Sequence, residues 1–360
     1  MAVSLVSTGV TFPDNSTQTT AATGFGFKNR IINGAMVIDQ RNAGASVAIP
    51  DSTVTFLTDR FRFDENTDGS FSGQQVSTAP SGFINSLKFT VTSADASLAA
   101  GQYANLRQPI EGLNVADLAW GTASAATVTL SFWVYSSLTG TFGGSLRNSA
   151  GDRSYPFTYT ISTANTWEQK TITVAGDTTG TWLTTNGAGL IVIWGLGVGS
   201  TFSGTAGAWA AANYLSATGA VSVVGTNGAT WYITGVQLEK GSTATSFDYR
   251  PYGTELQLCL RYYEVLMKTD SGDANRPAAV AAIASTIFFN ILYKVNKRTS
   301  SPTVTFTAGE VYSSGWSSFT SPTVTGANDI AAQFEGTKSG LTANSAYIVR
   351  NAGITVSAEL

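Results

Sequence analysis

Residues 127–134, TVTLSFWV, decide the fold class, because apolar and polar side chains alternate along the segment. The even-numbered positions hold Val, Leu, Phe and Val, whereas the odd-numbered positions hold Thr, Thr, Ser and Trp133. Successive side chains of a β-strand point to opposite faces, so this period of two predicts a strand with one buried face.

Strand patterns recur on both sides of this segment. Alternation is complete in LKFTVT (87–92), and QKTITV (169–174) is a further case of the pattern. LIVIW (190–194) predicts a strand buried on both faces, and WYITGVQL (231–238) predicts another strand. Clusters of Gly, Ser, Asn and Asp separate these runs, as in residues 176–189. Many short strands with turn signals between them are typical of a β-sandwich or barrel, so we expect an all-β protein.

The composition supports a folded core and removes many kinds of chemistry. Of the 360 residues, 43% are hydrophobic and only 12% are charged. The absence of histidine excludes imidazole catalysis. Because Cys259 is the single cysteine of the sequence, disulfide scaffolds and cysteine-rich metal sites are excluded as well. The formal charge of −3, without a basic cluster, argues against a nucleic-acid partner. The glycines of WGLGVGS (194–200) do not complete a nucleotide-binding motif, so we expect no cofactor.

Carboxylates are the remaining catalytic groups, since glycoside hydrolysis needs a pair of them about 5–9 Å apart. Asp64, Glu65 and Asp68 lie close together in the string FDENTDGS. That composition is typical of an exposed turn, so we expect a solvated loop there and no enzyme. Asp248 has no dense cluster of oxygen ligands beside it in sequence, so we expect no bound metal.

The patterns divide the chain into three parts. Residues 1–28 are polar and carry too few apolar side chains for a core, so we expect this segment to be either disordered or ordered by contacts with neighbouring chains. The turn-like RPYG (250–253) predicts a boundary between a sandwich over residues 29–252 and a smaller β domain over residues 253–360.

The smaller domain is predicted to start with a helix and to continue with strands. Residues 254–268, TELQLCLRYYEVLMK, place apolar residues at helical spacing after the capping residue Thr254. Residues 278–295, 301–309 and 321–326 then predict strands. The apolar stretch at 278–293 is shorter than the ~20 residues of a spanning helix and contains polar residues. Because the first residues also lack a signal-peptide pattern, we expect neither a signal peptide nor membrane insertion.

Three separated stretches stand out as motifs. They are VTFPDNSTQTTAA (10–22), NRIINGAM (29–36) with DQR (39–41) and DRF (59–61) after it, and YITGVQLEKGSTATSFDYRPYGTELQLCLRYY (232–263). In this order they resemble tail fibre and tail spike proteins of tailed bacteriophages. The third stretch resembles the ending of a carbohydrate-binding-module-like jelly roll in those proteins.

The resemblance covers nearly the whole chain. The same jelly-roll domain is matched in order by YANLRQPIEGLN (103–114), LSFWVYSS (130–137) and NTWEQKTITVAGDTTGTW (165–182). The C-terminal match is looser, because PTVT (302–305) is present without the Met that usually precedes it.

The resemblance implies a virion structural protein, a homotrimer whose distal end meets the surface of a host bacterium. Residues 1–28 would then attach the fibre to other virion proteins or hold the trimer together. The jelly roll would bind a bacterial surface glycan without cleaving it. Such a protein is made in the host cytoplasm and resides in the virion, in a tail fibre or a head fibre.

Two alternatives stay open beside this adhesin. One is a purely structural virion component, such as a head fibre, a decoration protein or an adaptor, which would make assembly contacts but no host contact. The other, less favoured, is a tail spike that degrades glycans. Such spikes are usually built on long parallel β-helices, and the chain contains no fixed-period repeat.

Aromatic residues on polar strand faces form the first candidate binding site. Trp133 and Tyr135 point away from the apolar face of their strand, and Trp167 shares parity with the polar positions of QKTITV. Sugar rings stack on aromatic faces when hydroxyl and amide groups lie nearby. The alternative is that a neighbouring chain or a loop covers this face.

A second candidate site lies in VYSSGWSSFT (311–320). Tyr312, Trp316 and Phe319 are predicted to lie in a loop rich in Ser and Gly. Exposed aromatic residues among small polar ones are typical of binding surfaces. The alternative is a loop folded under its own aromatic side chains.

Overall fold

The computed structural model describes residues 27–269, 276–319 and 322–360, and the backbone of three short strands that precede them. These are β1 (Ser4–Val6), β2 (Gly9–Thr11) and β3 (Thr17–Gln18), which pair antiparallel in one small sheet. The predicted attachment and trimerisation segment, residues 1–28, therefore lies almost entirely outside the described residues.

Two six-stranded antiparallel sheets form a sandwich in the first part of the chain. The strands in this part are β4 (Val47–Ile49), β5 (Val54–Phe56), β6 (Arg62–Glu65), β7 (Ser70–Val76), β8 (Ser86–Ser93), β9 (Tyr103–Glu111), β10 (Val128–Ser136), β11 (Gly140–Arg147), β12 (Ser154–Ile161), β13 (Glu168–Val174), β14 (Ala188–Val198), β15 (Ser203–Gly204), β16 (Ser216–Ala217) and β17 (Thr230–Lys240). Sheet I has the order β13-β10-β17-β8-β7-β4, and sheet II has the order β12-β11-β14-β9-β6-β5. The chain crosses repeatedly between the sheets, as in a jelly roll, so the prediction of an all-β sandwich is confirmed.

The alternating residues of these strands build the core between the two sheets. Phe132 of sheet I packs edge-on against Trp194 of sheet II, with 5.7 Å between the ring centroids. Trp194 and Trp231 are fully buried, as their apolar strands predict. Strand β14 is buried on both faces because Leu215 packs against Ile191 on its outer side.

The remainder of the chain holds one α-helix and two further antiparallel sheets among its described residues. Its elements are α1 (Tyr252–Leu260), β18 (Tyr263–Met267), β19 (Ala278–Ile283), β20 (Thr286–Leu292), β21 (Thr303–Phe306), β22 (Glu310–Tyr312), β23 (Trp316–Ser318), β24 (Thr323–Ala327), β25 (Ala331–Thr337), β26 (Ala346–Arg350) and β27 (Ile354–Ser357). The three-stranded sheet has the order β18-β27-β21, and the seven-stranded sheet has the order β23-β22-β26-β19-β20-β25-β24. A second apolar core, containing Phe289 and Phe334, lies in this part. No helix in the described part of the chain is long and apolar enough to cross a membrane.

The predicted helix over residues 254–268 is only half right. Helix α1 ends at Leu260, and the chain continues as the strand β18, which pairs with β27 near the C-terminus. Tyr262, Glu264 and Leu266 are buried, so the segment also carries a period of two. The segment after Leu260 fits both a helical period and the period of two of a strand. It forms a strand because it pairs with β27, almost a hundred residues away, and no local pattern contains that information.

The motif residues 29–36 tie the chain across the end of the sandwich. The Asn29 side-chain amide donates to the carbonyl oxygen of Val236, and its oxygen accepts from the amide nitrogen of Leu238. The Asn33 amide donates to the carbonyl oxygen of Ile38 at 2.8 Å. A Cβ atom at Gly34 would lie 2.1 Å from the Val236 oxygen, so only glycine fits there. This motif is therefore structural.

Buried ion pairs join the sandwich to the C-terminal part, and we call this group of residues the junction: Arg60, Glu111, Arg261, Tyr262 and Glu359. Arg60 pairs with Glu359 and stacks on the Tyr262 ring at 3.6 Å. Arg261 pairs with Glu111 at 2.6 Å, and the Tyr262 hydroxyl donates to the same carboxylate at 2.7 Å. Arg60, Glu111 and Tyr262 are almost completely buried, so each charge depends on its partner.

Candidate functional site

The carboxylates that the sequence offered for catalysis are engaged in structural contacts. Asp64 and Glu65 lie on β6 and are buried, so the predicted solvated loop is wrong for both, whereas Asp68 is exposed. Asp64 pairs with Arg107 at 3.0 Å, and Glu65 accepts from the amide nitrogen of Thr67 at 2.8 Å. Strand neighbours point to opposite faces, so Asp64 and Glu65 do not form a facing pair.

Two other polar candidates also have structural partners. The Asp248 carboxylate accepts from the amide nitrogens of Lys28 and Asn29 at 3.0 and 3.2 Å. Cys259 is buried, as predicted, and burial raises the pKa of its thiol. Within the described ranges, no group of three or more His, Cys, Asp or Glu side chains could hold a metal ion.

The outer face of sheet I brings Tyr135 and Trp167 together and adds Tyr232, which the sequence analysis missed. Their ring centroids are 5.6 Å apart for Tyr135 and Trp167, 4.8 Å for Tyr135 and Tyr232, and 6.2 Å for Trp167 and Tyr232. All three side chains are half-buried. We call these three residues the platform.

Strand pairing explains why the platform forms. Tyr135 and Tyr232 are direct cross-strand partners on β10 and β17, and Trp167 comes immediately before β13, which pairs with the other edge of β10. Position parity alone identified Tyr135 and Trp167. Finding Tyr232 required the register of β17 against β10, which a single strand pattern does not contain.

Trp133 lies on the same outer face but belongs to a second aromatic group. The pairing of β10 with β17 shifts by one residue beside Trp133, and Gly235 takes a positive φ of 60° there. A Cβ atom at Gly235 would lie 3.0 Å from Trp133 and 2.6 Å from Phe83. Glycine at this bulge thus lets Phe83 approach the strand next to Trp133.

Phe83 forms one wall of a cavity of about 300 Å³ beside helix α1. Phe247 and Tyr249 form another part of the wall, with ring centroids 4.8 Å apart. The Arg250–Glu255 ion pair also lines the cavity and is almost completely buried. The wall residues come from three separate segments, 35–37, 82–84 and 247–255, and periodicity within one segment cannot predict that they meet.

Another part of the outer face of sheet I, around Gln237 and Glu239, is covered by the chain itself. Gln237 and Glu239 point outward from β17 yet are buried, because residues 241–250 cross over them. Glu239 accepts hydrogen bonds from the backbone and the hydroxyl of Thr245. A covering loop, one of the two expected alternatives, is therefore present over half of the face, and the platform lies on the uncovered half.

The second predicted site is a β-hairpin and not a loop. Tyr312 on β22 is exposed and pairs with the half-buried Trp316 on β23, with 5.3 Å between the rings. The Arg350 guanidinium stacks on Trp316 at 3.7 Å. Phe319 is buried against Phe306, which corrects the prediction that it is exposed for binding.

Phe319 is buried because two glycines make room for its ring. A Cβ atom at Gly309 or at Gly336 would lie 2.6 Å from ring atoms of Phe319. The hairpin therefore presents Tyr312 and Trp316 outward, and Phe319 anchors it to the second core.

Comparison with known proteins gives only weak likenesses. No protein-family model matches the chain, and no curated protein matches its sequence. Among solved structures, the enzymatically active domain of tailspike protein 4 of bacteriophage CBA120 is similar, with a TM-score of 0.30 and 14% identity over 59% of this chain. A CBM4 structure gives a TM-score of 0.28 with 14% identity over 58% of this chain and 98% of its own.

The family 11 carbohydrate-binding module of the Clostridium thermocellum cellulase Lic26A-Cel5E gives a TM-score of 0.27 with 12% identity, covering 56% of this chain and 99% of the module. The matched region spans about a fifth of the tailspike domain, 21% of its length. TM-scores of this size support no conclusion about function. The fold assignment rests on the sheet order and pairing described above.

Proposed function

We propose that this protein is a non-enzymatic adhesin of a bacteriophage virion that binds a bacterial surface glycan through the outer face of sheet I. The observation that carries the proposal is the platform. Tyr135, Trp167 and Tyr232 present three adjacent, half-exposed rings on a face that the covering loop leaves open.

The surroundings of the platform suit a sugar. The neighbouring outward positions of β13, Gln169 and Thr171, are exposed and offer amide and hydroxyl groups to the edge of a sugar ring. Lys88 places its ammonium 5.7 Å from the centroid of Tyr232. Aromatic faces bind the apolar face of a pyranose, and the polar neighbours fix its orientation.

Trp133 and the adjoining cavity extend this surface toward helix α1. The rings of Phe83 and Phe247 lie 5.1 Å apart there. A glycan of several sugars that begins on the platform would continue along the same face toward Trp133. We therefore propose Trp133, Tyr135 and Trp167 as binding residues of one extended site, with Tyr232 added.

The virion role and the homotrimer come from the motif resemblance to tail fibre and tail spike proteins. Residues 1–28 are proposed to attach the fibre to other virion proteins. Three copies of a weak site, each with a dissociation constant of about 1 mM, reach useful avidity when they engage one surface together. No catalytic step is proposed.

One alternative has an observation in its favour. The motif residues in positions 29–36 and around the junction all make contacts within the chain, which suits a purely structural head fibre, decoration or adaptor protein equally well. Such a protein would assemble but would not bind host cells.

The experiment compares glycan binding by the full chain and by Trp167→Ala, using purified surface polysaccharide of candidate host bacteria. We expect the variant to bind at least about tenfold more weakly, a loss of about 1.4 kcal/mol. Trp209→Ala is the control. Trp209 is also half-buried, but its ring packs against Trp120 and not against the platform. Equal binding by wild type and Trp167→Ala, or no binding by either protein, contradicts the proposal.

A further inference from the structure

The outer face of the seven-stranded sheet is unusually apolar. Its outward positions include Val280 on β19, Phe288 and Leu292 on β20, Tyr312 on β22 and Ile348 on β26. All of them except the half-buried Phe288 are exposed. Register places Val280 beside Phe288 and Tyr312 beside Ile348, whereas the exposed Asn290 separates Phe288 from Leu292 on the same face.

A solvent-facing side of an antiparallel sheet normally carries polar residues. The inward residues of the same strands, such as Ala281, Phe289 and Val349, already form the second core. The sheet thus carries apolar side chains on both faces, and the described residues of the chain cover only one of them. An exposed apolar surface of this kind marks an interaction site.

Opposite charges lie on opposite sides of this face. On the β22–β23 side, the exposed Arg276 lies 5.9 Å from the Trp316 ring, whereas Arg350, which stacks on the same ring, already pairs with Glu310 at 2.8 Å. On the β25 side, Glu335 is the cross-strand partner of Phe288 and points outward with it. The centre between them holds the small side chains of Ala278 and Ala346, which permit close approach.

We propose that this face is the contact surface between copies of this chain. In a closed ring, the arginine side of one copy meets the Glu335 side of the next, so an apolar centre is flanked by complementary charges. One chain carries both complementary sides, so identical copies satisfy each other without a second kind of protein. Tyr312 and Trp316 therefore serve assembly and not glycan binding.

This inference rests on the multivalent adhesion proposed above and names the surface through which the copies meet. The test measures the mass of the full chain by light scattering over a range of concentrations, for wild type, Val280→Lys and Val54→Lys. Val54 is the matched control, because it is a strand valine with 59% exposure against 53% for Val280, but it lies at the edge of sheet II.

We expect wild type and Val54→Lys to form multimers. Val280→Lys places an unpaired ammonium in the centre of the interface. The dissociation constant of the multimer should therefore rise by about 30-fold or more, as for loss of an interface hot spot. Both valines are exposed in the single chain, so both variants should keep the melting temperature of the unassembled protein. A wild type with the mass of one chain at every concentration, or equal masses for wild type and Val280→Lys, overturns the proposal.

Charge exchange supplies a second test of the two sides. Glu335→Arg alone and Arg276→Glu alone should each weaken association, and the double variant should recover part of the loss. No recovery in the double variant, with both single variants weakened, would contradict the arrangement of arginine side against Glu335 side.

Failure of this inference is distinguishable from failure of the glycan proposal. Binding of a short monovalent oligosaccharide, measured by calorimetry, should be equal per chain in wild type and Val280→Lys, whereas binding to a whole cell surface should weaken in the variant. A Trp167→Ala protein should show the reverse, with an intact multimer and a lost oligosaccharide site.

Discussion

The junction and the platform place tyrosine side chains in opposite surroundings. At the junction, Arg60, Tyr262 and Glu359 are buried and each charged or polar group has a partner within the chain. On the platform, the rings of Tyr135 and Trp167 contact one another and the ring of Tyr232, and all three remain half-exposed. The comparison teaches that the matched stretches of this sequence serve two purposes. Residues 29–36 and the junction hold the chain together, whereas the platform residues, which also lie in matched stretches, remain half-exposed.

The two regions should therefore respond to mutation in opposite ways. A junction variant should lower stability and leave the glycan affinity of the folded protein unchanged. A platform variant should lower glycan affinity and leave stability nearly unchanged. The following experiments test this separation, beginning with the largest effect.

Arg60→Ala should give the largest loss of stability. The substitution leaves Glu359 with Arg41, 3.0 Å away, as its remaining cation and removes the guanidinium from the Tyr262 ring, so we expect the free energy of unfolding to fall by about 3 kcal/mol. Denaturant titration followed by tryptophan fluorescence measures this change.

The control for Arg60→Ala is Arg30→Ala. Arg30 forms an ion pair with Asp117 at 2.8 Å, but both side chains are well solvated, so its loss should lower the free energy of unfolding by no more than about 1 kcal/mol. If the two variants lose equal stability, the buried ion pair of the junction contributes no more to the free energy of unfolding than a surface ion pair does.

Sequence analysis identified the sandwich because its evidence is local. Alternation in residues 127–134 determines which of their side chains face the core. The apolar runs around Trp194 and Trp231 likewise predict that both side chains lie in the core, as they do. The end of helix α1 at Leu260 was not predicted, because it depends on pairing with the distant strand β27. The burial of Phe319 could not be decided from the sequence, because it depends on the space that Gly309 and Gly336 leave.

The candidate site was predicted only in part for the same reason. Tyr135 and Trp167 could be identified from parity within their own strands. Tyr232 and Phe83 required the pairing of β17 with β10 and the bulge at Gly235, which arise only when the strands assemble.

Asp59 should give the junction a measurable pH dependence. Burial raises the pKa of its carboxyl from 3.8 to about 6, against the opposing effect of hydrogen bonds from Gln40 and the charge of Arg41, and Glu359 adds a further small rise. The folded state therefore binds a proton between pH 4 and 6 that the unfolded state has already released, so this group stabilises the fold as pH falls through that window.

We expect wild type to gain about 1.3 kcal/mol relative to Asp59→Asn when the pH is lowered from 7 to 5. Denaturant midpoints of both proteins at the two pH values measure the difference. A variant with the same pH dependence as wild type would show that Asp59 does not titrate in this range.

The smallest effect on stability is expected at the platform. Trp167→Ala removes one edge of an aromatic cluster that is already half in solvent, and an aromatic pair of this kind contributes about 0.5–1.5 kcal/mol. We therefore expect the free energy of unfolding to fall by about 1 kcal/mol, far less than for Arg60→Ala, although the glycan affinity falls at least about tenfold. A loss of stability as large as that of Arg60→Ala, with glycan binding retained, would mean that Trp167 holds the end of β13 in place, and the platform would then be part of the structural framework that the junction represents.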